Sequence, residues 1–168
     1  MARRSDAQLL DVGGPFPPLE LTLTDGRHLV LPIDLSHPYN AVLVNRGSWC
    51  PYCVTQLTGF QAGLSRLAQA GIGVVSLSAD PREDAAALVA KHGLQFPVAW
   101  GASVHGVASA LGGYYDPHPA DRPPYLQSAG FVLGPGGTVV TAVYSSGAIG
   151  RLAWQDVLGF VQYLRSHS

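Results

Sequence analysis

Three short apolar runs, each followed by a stretch of helical period, leave few folds open to this chain. Ala41–Val44, Ile72–Ser78 and Phe96–Trp100 are compact, mostly apolar and too short for helices, and they read as buried strands. After the first, Leu57, Phe60, Leu64, Leu67 and Ala68 recur at threes and fours and stop at Gly71, which predicts an amphipathic helix. After the second, Asp80-Pro81-Arg82-Glu83-Asp84 predicts a helix start: Asp80 as the cap, proline in the first turn, acids where the exposed amides favour them. That helix carries Ala86, Leu88 and Val89 and stops near His92-Gly93. After the third, Val104–Leu111 predicts a short helix ended by Gly112-Gly113. Strands alternating with helices imply an α/β sandwich, with helices on both faces of a mostly parallel sheet.

Hairpins flank this unit. Leu19–Thr24 and His28–Leu31 alternate around Asp25-Gly26 and predict an N-terminal β-hairpin extension. Phe131–Leu133 and Thr138–Tyr144 enclose Pro135-Gly136-Gly137, a second hairpin that makes the central sheet mixed. Trp154–Leu164 places Trp154, Val157, Leu158, Val161 and Leu164 at core spacing and predicts a closing helix. Tyr114–Gln127, with four prolines and no period, reads as a long ordered loop or lid. Residues 1–11 are expected to be flexible, and residues 1–168 to form one domain: hydrophobic residues make up 47% of the chain, enough for one core.

Ten Lys and Arg against eleven Asp and Glu give a formal net charge of −1, which carries no footprint for nucleic acid or an acidic membrane surface. The arginines near the N-terminus precede no apolar stretch of a secretory kind, and no run approaches the roughly 20 apolar residues that cross a bilayer. The expected location is the cytoplasm. In a reducing compartment a lone pair of cysteines two residues apart is redox-active or metal-binding more often than structural.

That pair, in Trp49-Cys50-Pro51-Tyr52-Cys53, sits between a predicted strand and a predicted helix. The first cysteine of such a pair lies at the helix N-terminus, where exposed amides and the helix dipole favour a thiolate. Pro51 fits the first turn, where its missing N–H costs nothing. Cys50 is therefore the expected nucleophile and Cys53, one turn inside, the resolving residue, with Cys50–Cys53 the redox-active disulfide. Trp49 would shield the site and, with Pro51 and Tyr52, contact the substrate. Arg46, four residues before Cys50, and Arg151, in the loop after the last strand, are candidates to stabilise a thiolate. A zinc cage would need two more ligands, for which His92, His105 and His118 are the candidates, and no second cysteine pair exists.

Val42-Leu43-Val44-Asn45-Arg46-Gly47-Ser48-Trp49-Cys50-Pro51-Tyr52-Cys53 resembles the active-site segment of the redoxin superfamily, in particular its alkyl hydroperoxide reductase/thiol-specific antioxidant (AhpC/TSA) group. Gly71–Asp80, Gly93–Val98 and Phe131–Val139 resemble the middle and late sections of the same family, so the likeness spans about residues 12–165. It implies a thioredoxin-like fold. Family peroxidases carry proline seven residues before the attacking cysteine and threonine or serine three before it. Counted from Cys50, those positions hold Leu43 and Gly47; counted from Cys53, Arg46 and Cys50. Thioredoxin-type reductases place a cis-proline before the penultimate strand, against the substrate; here that position falls at Ser128 or Ala129.

The resemblance and the cysteine pair imply first a thiol-disulfide oxidoreductase: Cys50 attacks a protein or small-molecule disulfide, and Cys53 resolves the mixed disulfide. The alternative is a peroxiredoxin-like peroxidase, in which a hydroperoxide oxidises the cysteine and an external thiol reductant restores it. A third reading is a non-catalytic redox-sensing or partner-binding module. None needs a cofactor, and a homodimer is one assembly left open. A peroxidase should hold a guanidinium close to its thiolate in a small pocket. A disulfide reductase should expose Trp49 and Cys50 on an apolar groove.

Overall fold

The computed structural model describes all 168 residues. In chain order the strands are β1 Arg3–Arg4, β2 Leu19–Leu23, β3 His28–Leu31, β4 Tyr39–Val44, β5 Ile72–Leu77, β6 Val98–Trp100, β7 Tyr114–Asp116, β8 Tyr125–Leu126, β9 Ala129–Leu133 and β10 Val139–Tyr144. The helices are α1 Pro51–Gln69, α2 Arg82–His92, α3 Val104–Leu111 and α4 Trp154–Ser166. Seven strands form the central sheet in the order β10-β9-β4-β5-β6-β2-β3. β4, β5 and β6 are parallel; β9 and β10 on one side and the β2–β3 hairpin on the other run antiparallel to their neighbours. The fold is the expected thioredoxin-like α/β sandwich with an N-terminal hairpin added at one edge. No helix is long and apolar enough to cross a membrane.

β4 shows how the sheet is sided. Its side chains alternate, as a pleated strand requires: Ala41 and Leu43 join one core, Val42 and Val44 the other. The first core takes Leu57, Phe60 and Leu67 from α1, Val157, Leu158 and Val161 from α4, and packs Leu88 and Val89 of α2. The second takes Val107, Ala108 and Leu111 from α3, together with Phe16, Leu126 and Phe131. All six residues of β5 are buried, as a central parallel strand with both faces covered must be.

Three expectations need correction. Tyr114–Gln127 is not all loop: β7 and β8 within it pair with each other, and β1 pairs with β7, giving a separate three-stranded sheet. Residues 1–11, expected to be flexible, are held there: Arg3 and Arg4 lie opposite Tyr115 and Tyr114, and the Ser5 amide donates to the Gly113 carbonyl. Asp80 does not cap α2. Pro81 occupies that position with no side-chain capping bond, because the Asp80 carboxylate is engaged elsewhere.

Candidate active site

β4 delivers the chain to the site and α1 carries it away. The Asn45 amide still bonds to the Leu77 carbonyl, and the Asn45 side chain donates to Ser76 Oγ, so the strand end is pinned to β5. The backbone then turns through Gly47, whose φ of +152° belongs to glycine. Asp80, from the end of the neighbouring strand, clamps this turn: its Oδ2 accepts from the Ser48 amide at 2.7 Å. Burial raises the Asp80 carboxyl above the usual range, while that amide pulls it down.

Cys50 takes the N-cap position of α1 with extended backbone, and Pro51 opens the first turn. Both cysteines are free thiols, and both are inaccessible, at 0% and 1% exposure. Two guanidiniums converge on them. Arg46 Nη1 lies 3.5 Å from Cys50 Sγ, and the Arg46 amide donates to Cys53 Sγ at 3.3 Å. Arg151 Nη2 bridges the sulfurs, 3.1 Å from Cys53 Sγ and 3.7 Å from Cys50 Sγ.

Electrostatics separates the two thiols. Burial pushes Cys50 up, but the Cys53 amide and thiol, the Arg46 guanidinium and the field of Arg151 together outweigh it, so Cys50 lies below its ordinary value. For Cys53 burial dominates: Arg151 pulls it down, the neighbouring Cys50 pushes it further up, and the net shift is upward. The two thiols therefore ionise unequally, Cys50 more readily than Cys53.

Of the remaining residues singled out from sequence, Trp49 is partly exposed at 38% and Tyr52 at 51%, and Pro51 is exposed beside them. Ser128 and Ala129 lie away from the hydrogen bonds around the sulfurs. Ser128 is buried with its carbonyl accepting from Ser145, and Ala129 pairs with Val44 and Tyr144. His105 packs edge-on against Tyr115, and no group of three or more His, Cys, Asp or Glu side chains gathers anywhere.

Sequence reasoning missed three contributors. Gln56 accepts from Arg151 Nη1 at 3.1 Å and donates to the Leu152 carbonyl at 3.0 Å, fixing the bridging arginine. A glutamine on the buried face of α1, between Cys53 and Leu57, was its visible signal. Tyr125 receives Arg46 Nη2 on its hydroxyl at 3.3 Å and packs edge-on against Trp49. Arg122 lies over the Trp49 ring, 3.7 Å from its centroid. Neither of these last two carries a signal in a proline-rich stretch without period. A cleft of about 410 Å3 opens beside the site between Tyr52, Gln56, Phe60, Arg151, Leu152 and Trp154, without either sulfur in its wall.

Comparisons with known proteins agree with this architecture. A cysteine-to-serine mutant of peroxiredoxin 6 from Arenicola marina superposes with a TM-score of 0.77 at 19% identity, over 93% of this chain and 74% of the other. The peroxidoxin BcpB of Mycobacterium tuberculosis gives 0.77 at 16% identity, over 93% and 99%. A putative protein disulfide isomerase from Bacteroides thetaiotaomicron gives 0.65 at 18% identity, over 96% and 92%, so the fold alone does not choose a reaction. No curated protein sequence matches the chain. The family model of AhpC/TSA matches residues 12–142, most of the chain and the whole span from the N-terminal hairpin through both cysteines to the last hairpin. On that match the chain belongs to the AhpC/TSA family, and it is an oxidoreductase that works through its thiols.

Proposed function

We propose that the protein is a thiol peroxidase that reduces small hydroperoxides. The carrying observation is that Cys50 Sγ is fully enclosed while two guanidiniums converge on the cysteine pair. Either oxidant needs the enclosure of Cys50 to open, but a protein disulfide needs a wide groove, whereas hydrogen peroxide, little larger than water, needs only a small local movement. The groove exposing both Trp49 and Cys50 that peptide-disulfide exchange requires is absent, which favours peroxidation over the disulfide-reductase reading.

In this cycle the Cys50 thiolate attacks one peroxide oxygen. The S–O bond forms as the O–O bond breaks, the sulfur is oxidised to sulfenic acid, and the departing oxygen takes a proton to leave as water or an alcohol. Arg46 and Arg151 stabilise the thiolate, and their positive charge also favours the oxygen as it becomes negative. Cys53 then attacks the sulfenic sulfur, forming the Cys50–Cys53 disulfide and releasing water. An external thiol reductant, as a reducing cytoplasm would supply, returns both sulfurs to thiols with two electrons.

The test is stopped-flow oxidation of the reduced protein by hydrogen peroxide, followed by tryptophan fluorescence. Cys50→Ser should abolish the fast phase. Cys53→Ser should keep it but stop at sulfenic acid, trapped by dimedone and read by mass. Oxidation no faster than that of a free thiol with the same pKa would sink the peroxidase reading.

A further inference from the structure

The segment between α3 and β9 reaches over the active-site turn at two points, and nothing in the thiol cycle above uses either. The first is a stack: Arg122 lies on the Trp49 ring, and Arg46 lies against the same ring with its guanidinium carbon 4.9 Å from the centroid. The second is Tyr125. Its ring packs edge-on against Trp49 at 4.9 Å between centroids, Arg46 also lies 5.2 Å from its own ring centre, and its hydroxyl accepts from Arg46 Nη2. The other Arg46 Nη reaches Cys50.

A guanidinium is planar and rigid, so fixing one nitrogen fixes where the others point. Arg46 Nε is buried without a partner. The two terminal nitrogens therefore provide all the polar anchoring of this group, one on the tyrosine and the other on the sulfur. We propose that Tyr125 is a positioning residue for the thiol chemistry. Its hydroxyl and ring hold the Arg46 guanidinium on Cys50, and the 114–127 segment thereby sets how strongly Cys50 is activated. This rests on Cys50 as the attacking thiol, and is independent of whether its oxidant is a peroxide.

The charged and titratable groups facing Cys50 come from four places. They are Arg46 on the turn after β4, Cys53 on α1, Arg151 before α4, and Arg122 with Tyr125 on the overlying segment. Asp80 acts one step away, on the Ser48 amide. Tyr125 touches the sulfur only through Arg46, so its effect must vanish when Arg46 cannot transmit it.

The experiment is a pH titration of Cys50 in the Cys53→Ser protein, read by thiolate absorbance near 240 nm and by the rate of iodoacetamide alkylation. Tyr125→Phe keeps the ring on Trp49 and removes only the hydroxyl. It should shift the titration to higher pH and slow alkylation in the acid limb about three- to tenfold, with the high-pH plateau nearly unchanged. Arg46→Gln should shift the titration further in the same direction, and Tyr125→Phe added to it should change nothing more. An unchanged titration in Tyr125→Phe overturns the proposal, as does an equal further shift in the Arg46→Gln background. Lower thermal stability without a titration shift also overturns it, by marking Tyr125 as packing alone. No peroxide enters these measurements, so a thiol activated through Tyr125 yet slow toward hydrogen peroxide would defeat the peroxidase reading and leave this one standing.

Discussion

Returning the family's threonine to the position three residues before Cys50 should damage this protein. That position is Gly47, and a Cβ built there falls inside contact distance of Trp49 Nε1, 2.7 Å from Trp49 Cδ1 and 2.8 Å from Asp80 Oδ1. Neither neighbour gives way cheaply: the indole is held by Arg122 and Tyr125, and the carboxylate by the Ser48 amide. The φ of +152° adds strain for any side chain. Strain of this kind costs about 1–3 kcal/mol and forced contacts in a packed region cost about 1–3 kcal/mol. The two relax partly together, so Gly47→Ala should cost about 3 kcal/mol and Gly47→Thr, with its branched Cβ, somewhat more. In a domain of this size that lowers the melting temperature by about 6–12 °C. Circular dichroism melts of reduced Gly47→Ala and Gly47→Thr, with the Cys50 thiolate titration beside them, measure both consequences. A Gly47→Thr protein that melts with the parent and reacts faster with peroxide would refute the reasoning, since the turn would then have room for the family hydroxyl.

Two other outcomes follow from the same geometry. Arg151→Gln removes the cation 3.1 Å from Cys53, a thiol that burial already holds above its ordinary value. Losing the charge raises it further, so condensation with the sulfenic acid should slow about tenfold or more at neutral pH and recover as pH rises; single-turnover traces with the same rate at pH 7 and pH 9 would contradict this. Two glycine-to-alanine changes in helices should differ in sign. Gly159 on α4 has open space around it and should gain about 0.5–1 kcal/mol. Gly63 on α1 lies under the Trp154 indole, whose Cε2 would be 2.9 Å from a new Cβ, and should lose about 1–3 kcal/mol despite the better helix propensity. Urea unfolding of the two variants decides both signs.

What could be seen in the sequence depended on range. The strands β4 and β5, the two hairpins and the four helices announce themselves through periods and breakers a few residues long, and the structure places each within a few residues of its expected span. The cysteine pair was legible for the same reason, since a strand end, a proline and a helix start sit side by side in Trp49–Cys53. The small sheet was not: β1, β7 and β8 are two or three residues long, too short to show a period, and β1 acquires meaning only by pairing with β7 across more than a hundred residues of chain. Asp80 was misread because its local setting is that of a helix cap, while a backbone amide 32 residues earlier competes for the same carboxylate and takes it. Tyr125 and Gln56 reach the site through arginines distant in sequence, and only the fold shows those partners.

The bridging arginine also sets a clock. Arg151 follows Cys50 by 101 residues along the chain, and Tyr125 follows Arg46 by 79. A ribosome adding roughly 5–20 residues per second leaves about 5–20 s between the emergence of the cysteines and that of the cation that joins them. Through that interval the nascent sulfurs lack their final electrostatic partner. The share of the thiolate's stabilisation that Arg151 supplies is thus withheld until the loop before α4 has docked, while Arg46 and the start of α1 act on Cys50 from within a few residues of it.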